Sequence, residues 1–146
     1  MRIAQPALAA LLLASACANG VESAAADGTA DQLPGTSWLA EDIRGGGVLD
    51  RLQTTLSFVS EGSVAGTGGC NRYSGPVEIN GSSIRFGTLA ATMMACPPAA
   101  MQQEQRFFDA LAEAKEWQRT PERKLILLDG SGRKVVVLSL LPMKGG

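Results

Sequence analysis

The sequence predicts an α+β domain in which a mostly antiparallel sheet carries one main helix. Three observations lead there. Short runs of period two, separated by glycine-bearing turns, fill the chain up to about residue 90. The apolar period becomes helical after Pro97-Pro98. Two apolar runs joined by Gly130-Ser131-Gly132-Arg133 then close the chain. Strands, then a helix, then strands on one short chain suit a sheet with a helix on it better than alternating βαβ units.

The elements follow in order. Trp38-Leu39-Ala40-Glu41-Asp42-Ile43 reads as the first strand, ahead of a Gly45-Gly46-Gly47 loop. Residues 54–60 alternate, with Leu56 and Phe58 on one face, and Glu61-Gly62 turns the chain into a short strand over 63–66. Residues 77–86 hold Asn80-Gly81 between two alternating runs, a dipeptide suited to the positive φ of a tight hairpin. From about 100 to 117 there is neither Gly nor Pro, and Phe107, Ala110, Leu111 and Ala114 form a helical stripe. Gln102, Gln105, Arg106, Asp109, Glu113 and Glu116 supply its wet side. Pro121 ends that region, and 124–129 with 134–140 form a second hairpin.

Ahead of the domain lies a targeting signal. Met1-Arg2-Ile3 brings one positive charge, an apolar stretch runs from Pro6 to Leu13, and Ala14-Ser15-Ala16-Cys17 follows. This is the order of a secretory signal peptide, and the run is far shorter than the ~20 apolar residues of a membrane-spanning helix. Ala14-Ser15-Ala16-Cys17 resembles a bacterial lipobox, with Ala14 where that pattern prefers Leu. Residues 1–16 are then the signal peptide and Cys17 the lipidated first residue. Cleavage by ordinary signal peptidase after Ala-Ser-Ala is the alternative. Ala18 after the cysteine, rather than Asp, implies the outer membrane in the sorting pattern of enteric bacteria. The segment to residue 33 is rich in Ala, Asp and Gly, cannot offset its ordering entropy by burial, and reads as a tether. The domain proper is 34–146, with a frayed Lys144-Gly145-Gly146.

Composition narrows the function. The chain has 146 residues, 13 Lys+Arg against 14 Asp+Glu, and no histidine. The charge balance argues against nucleic acid as a partner. The missing histidine removes Ser-His-Asp and Cys-His catalysis and His-ligated zinc. Cys70 and Cys96 are too few for a four-ligand zinc site and form no Cys-x-x-Cys motif, so neither metal nor redox cofactor is expected. An even pair in an exported domain points to a disulfide, with buried free thiols as the alternative. Gly66-Thr67-Gly68-Gly69-Cys70-Asn71 lacks the spacing and the Lys-Ser/Thr of a phosphate loop, and reads as a bend with positive-φ positions. Glu104, Asp109, Glu113 and Glu116 read as a solvated helix face, Glu104 aided by its place near the helix N-terminus. Met93, Met94 and Met101 read as core filling, with an adaptable apolar surface as the alternative. The hydroxyls of Ser74, Thr88 and Thr92 have no base to activate them, and Lys115, Lys124 and Lys134 sit in no Ser-Lys motif. No catalytic residue is assigned.

Two blocks bring these residues together. They are Gly66-x-x-Gly69-Cys70-Asn71-Arg72-Tyr73-x-Gly75, and Phe86-Gly87-Thr88-Leu89-Ala90-Ala91-Thr92-Met93-Met94-Ala95-Cys96 followed by Met101-x-x-Glu104. With Trp38-Leu39 and the 125–129 run, they resemble the META domain family (the HslJ-like heat-shock lipoproteins of bacteria) over about residues 34–140. Met93 stands where many relatives have Arg. The resemblance implies a compact, curved, mostly antiparallel sheet with one helix packed on it, similar to the cracked barrels of secretion pilot lipoproteins. It also implies Cys70 and Cys96 as the family's cysteine pair, and Gly69, Asn71 and Gly75 as turn residues. The family is linked to heat-shock response, novobiocin tolerance and secretion or motility, with no activity to transfer.

Two functions from different classes remain. One is a non-catalytic envelope module, anchored to a membrane through its N-terminal lipid and contacting an envelope protein. A Lys- and Glu-poor surface patch with exposed Trp or Phe would mark it. The other is a carrier of a small apolar or lipid-like ligand in a groove of the sheet, marked by an open apolar pocket.

Overall fold

The computed structural model describes residues 32–143. The signal peptide, Cys17, the tether as far as residue 31 and the C-terminal 144–146 lie outside the described residues.

The described chain runs β1 (Ser37–Ile43), β2 (Thr55–Ser60), β3 (Ser63–Thr67), β4 (Arg72–Asn80), β5 (Ser83–Phe86), β6 (Ala90–Ala91), α1 (Pro98–Glu113), β7 (Glu116–Arg119), β8 (Lys124–Leu128) and β9 (Lys134–Leu140). The α+β reading with one helix on an antiparallel sheet holds, and the sheet closes. The order β3-β2-β1-β9-β8-β7-β5-β4 returns to β3, so eight strands form a barrel with every pairing antiparallel, and β6 is a spur on β4. The thinnest seam joins β5 to β7. Its register is Ser83 opposite Glu116, flanked by Ile84 N–H donating to Lys115 O (3.0 Å) and Trp117 N–H to Ser82 O (2.9 Å).

Period two explains the interior. Trp38 and Ala40, Leu56 and Phe58, Ile84 and Phe86, Leu125 and Leu127, and Val136 and Leu138 are buried pairs spaced by two. An eight-stranded barrel is just wide enough for its own side chains to fill. Phe107, Ala110, Leu111 and Ala114 join this core. The helix packs against β1, β5 and β9. Its partners all lie at one end of the barrel: Arg106 donates to Ile43 O at the end of β1, and Glu113 pairs with Arg44. Leu33, assigned from sequence to the tether, is 1% exposed and packs in the core with the domain the 34–146 reading describes.

Three other boundaries move. The helix stops at Glu113 rather than running to 117, because Ala114 turns to extended geometry (ψ 131°) while its N–H bonds to Ala110 O and Leu111 O. Lys115 N–H then bonds Leu128 O (2.7 Å), and Glu116–Arg119 pairs with β8 as a strand. Glu116 therefore belongs to a strand and not to the helix face. The first hairpin is as expected but shifted: Asn80 pairs with Ser83, and Gly81 (φ 57°) opens the two-residue loop as a glycine-first turn. The helix starts on Pro98 at its first position, where a missing N–H leaves no bond unmade.

The second hairpin turns on Asp129. Its Oδ1 accepts from Ser131 N–H (2.8 Å), Ser131 Oγ–H (2.6 Å) and Arg133 N–H (3.0 Å), and its Oδ2 from Arg133 Nε–H (2.9 Å). The Ser131 hydroxyl first, and then the Arg133 backbone N–H, hold this carboxyl well below the usual carboxylate range. A depressed folded value adds stability that is present above the unfolded value of about 3.9 and is lost as pH falls below it. The melting-temperature gap between the native chain and Asp129→Asn should therefore be open at pH 7 and narrow below about pH 4. Melts across pH 2–7 check this, and a gap that stays constant across that range overturns it.

Candidate functional site

The helix end of the barrel gathers most of the residues singled out from sequence. The four-residue connection from β3 to β4 is closed by Gly68 N–H donating to Asn71 O (2.9 Å). Gly69 takes φ 128°, a backbone region that side chains rarely enter. Asn71 lies in the same bend. Gly75 does not: it sits inside β4 opposite Val64, where a Cβ would come within 2.7 Å of Leu89 Cδ2 and 2.9 Å of Thr88 O. The turn reading is thus corrected for Gly75, whose lack of a side chain lets residues 88–89 lie flat on the strand.

Cys70 and Cys96 are bridged, with their Cα atoms 5.9 Å apart. The bridge ties the β3–β4 bend to the segment entering α1. A second link runs beside it through Glu104. Its Oε2 accepts from Cys70 N–H (3.0 Å) and Asn71 N–H (2.5 Å), and its Oε1 from Asn71 Nδ2 (2.7 Å). Asn71 Oδ1 in turn accepts from Thr92 Oγ1 (3.0 Å) and Met94 N–H (2.6 Å). Asn71 therefore passes the helix's grip on to the 92–94 segment, using its donor on one side and its acceptor on the other.

This overturns the solvated-face reading of Glu104, which is 8% exposed. A carboxylate so placed is stabilised by charge-assisted hydrogen bonds from amides fixed by the bend. Its neighbour Gln103, also buried, repeats the device. Gln103 Nε2 donates to Thr54 Oγ1 (3.0 Å), Thr54 Oγ1 donates to Gly68 O (2.9 Å), and Gln103 Oε1 accepts from Leu49 N–H (2.6 Å). Gln103 and Thr54 escaped the sequence reading, since an Ala-Gln-Glu-rich helix start looks solvated. Two signals for Glu104 were its place in the Met101-x-x-Glu104 block and its helical spacing, three residues before Phe107 and seven before Leu111, which puts it on the apolar stripe. Asp109 keeps the exposed role expected of it, bonding Gln105 (2.8 Å).

Beneath this layer Tyr73 packs edge-on against Phe107 and Phe108, with ring centroids 5.9 and 5.3 Å away, and donates its hydroxyl to Thr55 O (2.7 Å). Burial pushes the phenol far above its ordinary value, so it stays neutral.

The methionines are not core. Met93 is 97% exposed, Met94 54% and Met101 48%, with Leu49 (43%) across the helix start. The reason is the network just described: polar side chains, not Met, fill the space under the bend. Leu49 reaches α1 through Gln103, Met94 through Asn71 and Glu104, and Met101 lies one turn before Glu104. Between Arg85 and Glu104 the sequence has no charged residue, and most of that stretch is exposed. That stretch is thus poor in Lys and Glu as an interface core would be, but it presents Met instead of Trp or exposed Phe. Among the described residues, no group of three or more Cys, Asp or Glu is arranged to hold a metal ion.

Comparison with known proteins agrees with this architecture. The family model for the META domain matches residues 31–140. An NMR structure of a protein from Burkholderia xenovorans superposes with a TM-score of 0.62 at 24% identity, covering 75% of this chain and 83% of that one. A second protein solved by NMR superposes with a TM-score of 0.61 at 22% identity, covering 78% and 96%. At these identities the likeness concerns the fold. No curated protein matches the chain.

Proposed function

Because this chain belongs to the META domain family over residues 31–140, we propose that it is a non-catalytic lipoprotein of the cell envelope that contacts another envelope protein. Cys17 is the lipidated residue and the tether spaces the barrel from the periplasmic face of the outer membrane. The role falls within envelope stress, antibiotic tolerance or secretion. One observation supports the contact above all: Met93, Met94 and Met101 are exposed along an uncharged stretch of chain, beside a base held by a disulfide and the Glu104 network. Methionine side chains adapt to irregular apolar partners, and a fixed backbone lowers the ordering cost of binding. The carrier alternative asks for empty volume inside the sheet, and there Trp38, Phe58, Leu56 and Phe107 already stand.

The test has two parts. Membrane fractionation should place the native chain in the pellet and Cys17→Ser in the soluble fraction; an unchanged pellet removes the lipid anchor from the reading. In-cell photo-crosslinking from position 93 should give a discrete adduct that Met94→Glu and Met101→Glu abolish. An adduct indifferent to both substitutions removes the methionine contact.

A further inference from the structure

The chain enters the barrel at the end remote from the helix. β1 runs from Ser37 at that end to Ile43 beside α1, and β4 runs from Arg72, next to the Cys70–Cys96 bridge, back to Asn80. Gln32, Pro34 and Met143 meet at the entry end. The bridge and the exposed Met93 and Met94 lie at the other.

The entry end has its own chemistry. A recess of about 510 Å³ opens there, lined by Arg119, Arg123, Leu140, Leu141 and Met143 against residues 34–37. Both charged side chains in it are arginines. Glu61 and Glu122 lie outside its lining, and Glu41 is paired with Lys124 (2.5 Å). The Arg119 guanidinium sits 5.1 Å over the ring of the buried Trp38, which holds it in place before any ligand arrives. Arg123 is exposed, as is Met143. A second recess shares Gln32 and Pro34 and carries the half-buried Trp117, whose indole N–H donates to Gly81 O (2.9 Å). Arginine forks match phosphate oxygens, and amphipathic tryptophan suits the boundary between headgroups and water.

The anchor brings a matching surface within reach. Cys17 stands 15 residues before Gln32. A flexible chain of that length averages about 20 Å between its ends, about the length of a seven-residue strand such as β1 or β9. An acylated Cys17 thus keeps the entry end nearest the bilayer. We propose that this end docks on the phospholipid surface, holding a lipid phosphate between Arg119 and Arg123 while Leu141 and Met143 enter the headgroup layer. The inference rests on the lipid-anchor reading and gives the anchored barrel an orientation. The helix end, with Met93 and Met94, then points away from the membrane toward a protein partner. The tether makes the second contact intramolecular, so a weak phosphate contact suffices.

The experiment couples the mature chain 17–146 through the Cys17 thiol to a maleimide lipid, which supplies the anchor whether or not a cell acylates it. Cys70 and Cys96 are bridged and do not compete. Vesicles are made of phosphatidylcholine alone or mixed with phosphatidylglycerol, each with a headgroup spin-labelled lipid that quenches tryptophan. The reporters are Met143→Trp and Met93→Trp, both at exposed positions. On phosphatidylglycerol the reporter at 143 should be quenched well beyond the one at 93. Arg119→Gln and Arg123→Gln should each lower the ratio of docked to free barrel about fivefold, and added salt should act in the same direction. Arg123 is exposed, so its variant keeps the fold, and a thermal melt verifies Arg119→Gln, which loses the stack on Trp38. Equal quenching at 143 and 93, or quenching at 143 indifferent to both substitutions, overturns the docked orientation. Failure here with Cys17→Ser released from the pellet leaves the anchored-module reading standing. Docking with an unchanged pellet removes the native anchor and keeps the lipid-binding end.

Discussion

Replacing Glu104 with alanine is expected to lower the melting temperature by about 12 °C, from a loss of about 3 kcal/mol at about 4 °C per kcal/mol for a domain of this size. The loss has an identifiable source. Three donors, the N–H groups of Cys70 and Asn71 and the Asn71 side-chain amide, converge on one buried carboxylate. Alanine leaves all three with no protein partner, and unpaired buried donors cost far more than a hydrogen bond contributes. Glu104→Gln should fall between. Its carbonyl can still accept from the two backbone N–H groups, but its amide then faces the Asn71 amide, donor against donor. Asn71 cannot turn over to relieve this, since its Oδ1 is needed by Met94 N–H and Thr92 Oγ1. The expected order is native, then Gln, then Ala, read by thermal denaturation at pH 7. If Gln and native melt together, the carboxylate is acting only as bulk and the network account fails.

That residue also shows what a sequence can and cannot disclose here. The barrel strands were legible because period two repeats on both sides of glycine turns: Leu56 and Phe58, Ile84 and Phe86, and Leu125 and Leu127 point inward as their spacing demands. The disulfide was legible from cysteine parity. Barrel closure was not, because a single register pair at Ser83 and Glu116 makes the seam, and one pair leaves no pattern. β7 was hidden for a related reason: Glu116-Trp117-Gln118-Arg119 continues a run free of Gly and Pro, and only the bond from Lys115 to Leu128 pulls it out of the helix. Burial of polar residues is set by partners distant in sequence. Glu104 meets residues 33 and 34 positions away, and Gln103 meets Thr54 at 49. A helical wheel puts Gln103 and Glu104 on the buried face, four and three residues before Phe107, but their polarity reads as solvated, and with them buried the methionines expected in the core stand outside.

Converting both cysteines to serine should cost up to about 3.5 kcal/mol, the chain-entropy value for a bridge spanning 26 residues. The observed loss should approach that value, since it arises in the unfolded chain and the native geometry is kept. The segments it joins, the bend at Cys70 and the run into α1, are also held by Asn71 and Glu104, whose bonds survive in Cys70→Ser/Cys96→Ser. A reductant should lower the native melting temperature to that of the double variant and leave the variant itself unmoved, with thiol alkylation verifying reduction. The two links should also be coupled. With the bridge gone, Glu104→Ala should cost less than it does alone if the bend has already loosened, or cause loss of the cooperative transition if the two links are mutual substitutes. In either case the double-mutant cycle departs from additivity by more than about 0.5 kcal/mol. Strict additivity would mean that the disulfide and the carboxylate stabilise separate parts of the barrel end, and that the exposed methionines do not share one rigid base.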